Sequence, residues 1–217
     1  MIKPMLFNTD MVRAILENRK TVTRRAVKPQ PKGGHSVLDY DDEAHTADIL
    51  CGNGGEGGVF ADWAETVKAP CWPGDILWVR ETWCESLGKA GKYFYRAYAG
   101  PRDEMKEYAH SFNRWRPSIH MPREAARIFL RVTDVRLERL NDITDVQAKA
   151  EGVSMPLPAQ KDPEYAEYIG GYWGAFADLW DSTIKPKDIH TYGWDANPWV
   201  WVIEFERISK EEAERHG

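Results

Sequence analysis

Apolar and polar positions recur along this chain with periods that change several times. Asn8-Thr9-Asp10 offers a capping side chain followed by an acid, and Met11, Val12, Ile15 and Leu16 then fall at helical spacing. A helix with one buried stripe is expected there, ending near residues 18–20. Between residues 28 and 70 the periodicity fades into KPQPKGGH, DYDDE and CGNGGEGGVF. That stretch reads as a long insertion or hairpin, partly mobile. Its GNGGEGG run lacks the GK[ST] and the preceding buried strand of a phosphate cradle, so a flexible loop is expected. From the turn at Pro73-Gly74-Asp75 the signals sharpen. ILWVRETW reads as a strand, KYFYRAY (92–98) as a second, and residues 101–112 as polar with helical character. RIFLRVTDVRLERL (127–140) alternates apolar and charged residues, as a long strand or bent pair does. Thr144-Asp145-Val146-Gln147 forms a capping box for a short helix that Gly152 stops. After the proline-rich MPLPAQKDP, residues 165–180 suit a helix, and WVWVIEFERI (199–208) the last strand before a charged, fraying tail.

Short strands with two or three helices predict an α+β fold: a small, mostly antiparallel β-barrel with helices packed on it. A length of 217 residues fits one domain with insertions, or at most two small ones. The net charge of -5 excludes a generally basic nucleic-acid coat and leaves room for a local basic patch. Cys51, Cys71 and Cys84 make no CxxC pair, and the histidines show no HxH or HExxH pattern, so neither a disulfide framework nor a metal site is expected. No apolar run approaches the roughly 20 residues of a membrane helix, and MIKPMLFNTD lacks a secretory core. A soluble, cytoplasmic protein without a membrane or an obligate protein partner is expected.

Three places carry candidate chemistry. In LENRKTVTRR, Lys20 stands three residues before Thr23, with Arg24 and Arg25 following. A helix end rich in cations and a turn with threonines account for this stretch without any chemistry. Equally, a threonine hydroxyl becomes a nucleophile when a base takes its proton, and a lysine is such a base when burial or neighbouring cations disfavour its charged form. In an extended segment Thr21 and Thr23 would point the same way. The second place is Glu151 in ITDVQAKAEGV, a carboxylate at the unfavourable negative end of a helix dipole. The third is WVRETW: if Leu77 and Val79 face the core, Glu81 and Trp83 share that face, and a charge there pairs with an arginine or lines a pocket. Arg114, Arg116, His120 and Arg123 form a basic, aromatic-bearing loop able to grip a phosphate or a base.

These stretches resemble the ASCH-domain proteins of the PUA-like superfamily, particularly their phage and prophage branch. The resemblance rests on ILENRKTVTRR (15–25), PGDILWVRETW (73–83), WRPSIHMPREAARIFLRVTDVRLERL (115–140), ITDVQAKAEGV (143–153) and WVWVIEF (199–205). It implies a PUA-like barrel over a single domain, 1–217, with insertions at about 30–70 and 154–198. Small bacterial members are amidohydrolases that deacetylate N4-acetylcytidine with a lysine, a threonine three positions on, and a glutamate in a short helix. The matching positions here are Lys20, Thr23 and Glu151, which the resemblance makes catalytic. The basic residue two positions after the threonine is also matched, as Arg25. Together with Arg24, Glu81, Trp83 and His120 from the residue reading above it is expected at the substrate, and no metal or organic cofactor is needed. Other relatives bind RNA or modified bases, or cleave RNA, so a binding module and a metal-independent ribonuclease stand beside the amidohydrolase as alternatives.

Overall fold

Asn8 accepts a hydrogen bond from the Met11 amide at 2.8 Å, and helix α1 (Thr9–Leu16) follows with Val12, Ala14 and Ile15 buried. This computed structural model describes residues 1–52, 62–86, 92–98, 114–155, 160–168 and 170–215. The strands are β1 (Ile2–Leu6), β2 (Val22–Ala26), β3 (Gly34–Asp41), β4 (Thr46–Gly52), β5 (Asp62–Lys68), β6 (Ile76–Arg80), β7 (Trp83–Glu85), β8 (Tyr93–Tyr95), β9 (Phe129–Arg139) and β10 (Trp199–Ile208). The remaining helices are α2 (Asp145–Ala150), α3 (Pro163–Tyr168), α4 (Gly171–Thr183), α5 (Ile189–Tyr192) and α6 (Lys210–Arg215). The fold is therefore mixed α+β. The largest sheet has the order β1-β6-β9-β10-β2, beside sheets β3-β4-β5 and β7-β8. These orders are open, so the closed barrel expected from the sequence is not what the described strands form.

The chain divides into two compact units. The first comprises Met1–Thr21, Gly74–Val132 and Phe205–Gly217; the second comprises Val22–Pro73 and Thr133–Glu204. In the first, β1 pairs parallel to β6, with Ile2 opposite Ile76, and β6 pairs antiparallel to β9, with Leu77 opposite Leu130. Its core gathers Ile76, Trp78, Trp83, Met121 and Phe129. The tail, expected to fray, instead forms α6. Ala213 is fully buried in that core, and Arg131 pairs with Glu212. KYFYRAY gives only the short β8, followed by a 3-10 turn over Arg96–Tyr98.

In the second unit β10 runs antiparallel to β2, Thr23 opposite Ile203. Its core holds Val22, Leu140, Phe176, Trp180, Val200 and Val202. The stretch expected to be a long insertion or hairpin, partly mobile, contains an antiparallel three-stranded sheet, β3-β4-β5. Its ordering signal is the alternation in TADILCG, where Ala47, Ile49 and Cys51 are buried and their neighbours are not. Gly33 (φ +70°) enters that sheet where a Cβ would come within 2.7 Å of the Gly52 carbonyl oxygen, so a larger residue would have to push backbone aside. The GNGGEGG run beyond Gly52 and residues 101–112 lie outside the described residues.

Candidate active site

Helix α1 ends through Asn18, whose φ of +57° is the left-handed conformation that asparagine tolerates. The Arg19 and Lys20 amides both donate to the Ala14 carbonyl, at 2.8 and 3.1 Å, which turns the chain sharply and delivers Lys20 inward. Lys20 is only 2 % exposed, with Nζ 6.0 Å from the Phe7 ring centre. Phe7 stands edge-on to Phe205, whose amide donates to the Thr21 carbonyl at 2.9 Å. A lysine buried this far is uncommon, because its ammonium gives up water to be there.

Strand β2 then places Val22, Arg24 and Ala26 on one face and Thr23 and Arg25 on the other. Thr23 is buried within it. Thr21 lies outside the strand and is exposed, so it does not share the setting of Thr23 as the spacing suggested. The side chain of Arg24 has no exposed surface; its guanidinium lies 6.0 Å from the Phe176 ring centre. Nη1 donates to Glu151 Oε1 at 3.2 Å and Nη2 to Glu138 Oε2 at 3.1 Å. Burial pulls Arg25 below the ordinary guanidinium value, and the nearby Glu151 and Cys71 oppose that pull. Glu151 therefore lies within electrostatic reach of cations on both faces of β2.

Glu151 owes its position to the end of α2. Thr144 and Gln147 close the capping box at the start of that helix, at 3.3 and 2.9 Å. At the other end Glu151 is the C-cap, its amide bonded to the Gln147 carbonyl at 3.0 Å, and Gly152 (φ +82°) breaks the helix. The carboxylate at a helix C-terminus, unfavourable by itself, is thus offset by a buried guanidinium.

Glu81, Trp83 and His120 lie in the first unit. Both Glu81 oxygens are taken by Arg127, Nε to Oε1 at 2.8 Å and Nη2 to Oε2 at 2.9 Å. Burial raises the Glu81 carboxyl, and the Arg127 bond and charge only partly offset it. Tyr95 and Tyr98 flank the same guanidinium, with ring centres 4.1 and 3.9 Å away. This pair is closed, the pairing with an arginine that WVRETW suggested. Trp83 is buried, with the Arg116 guanidinium 5.1 Å from its ring centre. His120 is exposed and lines a cleft of about 770 Å³ with Glu85, Ser86, Arg114, Trp115, Arg116 and Pro117.

Among the described residues, the buried polar or charged side chains are Lys20, Thr23, Arg24, Asp75, Glu81 and Glu151. All but Asp75 were singled out from sequence, and Asp75 is explained by the Lys3 ammonium at 2.8 Å. Arg24 and Glu151 are in contact; Lys20, Glu81, Trp83 and His120 belong to the other unit. Sequence reasoning missed Glu138 and Arg127. Glu138 is marked only by the charged positions Arg136, Glu138 along β9, which resemble a solvated strand face. Arg127 carries no local signal. No group of three His, Cys, Asp or Glu side chains among the described residues is arranged to hold a metal ion. No helix among them is long and apolar enough to cross a membrane. Comparison with family models, with curated proteins and with solved structures finds no match to this chain.

Proposed function

We propose that this chain is an amidohydrolase of the ASCH type, on a PUA-like scaffold, acting on an acylated nucleoside or base, most simply N4-acetylcytidine. The observation that carries this reading is the burial of three side chains that a packed core would otherwise exclude: Lys20, Thr23 and Glu151, at 2, 2 and 3 % exposure. Thr23 Oγ attacks the acetyl carbonyl while the Lys20 amine takes its proton; burial is the setting in which a lysine becomes available as a base. Collapse of the tetrahedral intermediate breaks the carbon–nitrogen bond. The departing N4 takes a proton as it leaves, with Glu151 orienting the amide or relaying that proton. Water then hydrolyses the acetyl ester on Thr23, releasing acetate and restoring the hydroxyl. Arg25 or backbone amides near Thr23 would steady the oxyanion.

Incubation with N4-acetylcytidine, followed by chromatography for cytidine and acetate, tests the reading. Turnover lost in both Thr23→Ala and Lys20→Arg is expected, since arginine keeps the charge but not the base. No turnover by the wild type, or turnover undiminished in either variant, would sink the mechanism.

A second reading, capture of RNA or a modified base without chemistry, is favoured by the cleft. Arg114, Arg116 and His120 are exposed around it beside the Trp115 indole. Neither arginine has an ion-pair partner among the described residues. That combination suits a phosphate and a stacked base. Fluorescence anisotropy with a labelled single-stranded oligonucleotide should show salt-sensitive binding. Arg116→Ala should lower the salt slope by about 1. Binding indifferent to salt and to Arg116 removes this reading, and cleavage of the oligonucleotide on a gel replaces it with a ribonuclease.

A further inference from the structure

Arg24 has the wrong surroundings for a substrate ligand. Its side chain has no exposed surface, and its two terminal amino groups are divided between Glu151 and Glu138. Its Nε is buried with no hydrogen-bond partner among the described residues, a cost accepted where the rest of the guanidinium is held. Beyond Glu138 the charges continue to alternate. Arg136 Nε donates to Glu138 Oε1 at 2.6 Å, and Arg136 Nη1 reaches Asp134 Oδ2 at 2.7 Å and Glu204 Oε1 at 2.6 Å. Exposure rises along this row, from 3 % at Glu151 and 0 % at Arg24 to 19 % at Glu138, 29 % at Arg136 and 46 % at Glu204. Burial by itself would lower Arg136, but its bonds to Glu138, Asp134 and Glu204 outweigh that and raise it. Glu138 thus has a second cation beside Arg24, although it shares Arg136 with Asp134 and Glu204. What it supplies to Arg24 is direction.

A guanidinium is a planar fork. Anchored by one nitrogen on β9 and by the other on the C-cap of α2, it has its plane and its reach both set. With a single anchor it can swing to grip Glu151 with both nitrogens, or turn away from it. We propose that Arg24 is a positioning residue, pinned by Glu138, that fixes the Glu151 carboxylate, so that Glu138 governs the reaction without touching substrate. This rests on the catalytic role assigned to Glu151.

The experiment replaces Glu138 by its neutral isostere. Glu138→Gln should lower kcat on N4-acetylcytidine by about 10- to 100-fold, the scale of a misplaced catalytic group, with KM nearly constant. Because Glu138 acts through Glu151, the Glu138→Gln/Glu151→Gln double variant should be no slower than Glu151→Gln alone. Penalties that multiply, or an unaffected kcat in Glu138→Gln, overturn the proposal. The pinning also has a readout independent of activity. In a nitrogen-15 spectrum of the full chain, the Arg24 Nη signals should be resolved and slowly exchanging in the wild type and averaged in Glu138→Gln. Should the wild type fail to deacetylate N4-acetylcytidine, the proposed function falls and the spectrum alone decides the pinning. Arg24 signals identical in the wild type and in Glu138→Gln then overturn it.

Discussion

Two glutamates are buried to nearly the same degree, Glu81 at 1 % and Glu151 at 3 % exposure, and each faces an arginine. The pairs are built differently. Glu81 has Arg127 to itself, with both oxygens engaged by two nitrogens in parallel. Arg24 is shared, one nitrogen for Glu151 and one for Glu138. A closed bidentate pair spends its charge on holding the fold together, and its partner's loss is felt as stability. A shared cation divides its bonds between two carboxylates and fixes the place of one relative to the other. Burial alone therefore does not separate the two glutamates; the number of carboxylates that each arginine serves does, one for Arg127 and two for Arg24.

The largest effect that can break this comparison is kinetic. Glu151→Gln should lower kcat on N4-acetylcytidine by about 10³-fold, the ordinary worth of a general acid or base. Arg127→Met, which dismantles the Glu81 pair, should leave kcat of the folded fraction close to wild type. Equal losses in the two variants, measured side by side, would mean that the two pairs do not differ in role.

The next effect is on stability, with the order reversed. Removing Arg127 leaves Glu81 buried without its partner, and Arg127→Met should cost about 3 kcal/mol at pH 8. The pH dependence has a definite sign. Burial raises the Glu81 carboxyl above its usual 4.5, so the folded state binds its proton more tightly than the unfolded chain does. Stability contributed by that group is present at low pH and falls as pH rises through the window just above 4.5. Arg127→Met deletes the causes that lower Glu81, so its window should widen upward and its loss deepen. Urea unfolding from pH 4 to pH 8 measures this; a penalty independent of pH would show that packing against Tyr95 and Tyr98, not charge, was lost.

The two pairs also differ in how far sequence revealed them. Glu151 was conspicuous because it breaks a local rule, an acid at a helix C-terminus, and such a violation is visible within six residues. Glu81 was reached by alternation along ILWVRETW. That route was partly accidental, since Ile76, Leu77, Trp78 and Val79 are all buried and β6 has no solvent face. The partners were not legible. Arg127 lies 46 residues from Glu81 and Arg24 lies 127 from Glu151, and nothing local links them. The second anchor, Glu138, was hidden for another reason: an Arg-Leu-Glu alternation on a strand looks like a solvated edge whether or not one of its charges turns toward a buried guanidinium. The acid-rich sheet β3-β4-β5 was legible only as an insertion or hairpin, for a similar reason. Its buried positions are the small or ordinary Ala47, Ile49 and Cys51, while the conspicuous residues around them face water.

The smallest effect concerns the turn that delivers the chain to Lys20, a feature without counterpart at Glu81. Asn18 holds φ at +57°, and the Lys20 amide bonds back to Ala14 only because the chain doubles over there. Alanine in that conformation places its Cβ against the following carbonyl, so Asn18→Ala should cost about 1 kcal/mol. Glycine has no Cβ to clash, and Asn18→Gly should be close to neutral, the extra freedom of its unfolded chain offsetting part of the gain. On thermal unfolding, the alanine variant should melt about 3 °C lower and the glycine variant near the wild type. If backbone conformation alone sets the approach of Lys20, activity on N4-acetylcytidine should follow the same order, with glycine retaining what alanine loses. Alanine and glycine variants that melt together would show that the Asn18 side chain, and not its φ, holds the turn, and would place the control of Lys20 in that amide instead of in the backbone.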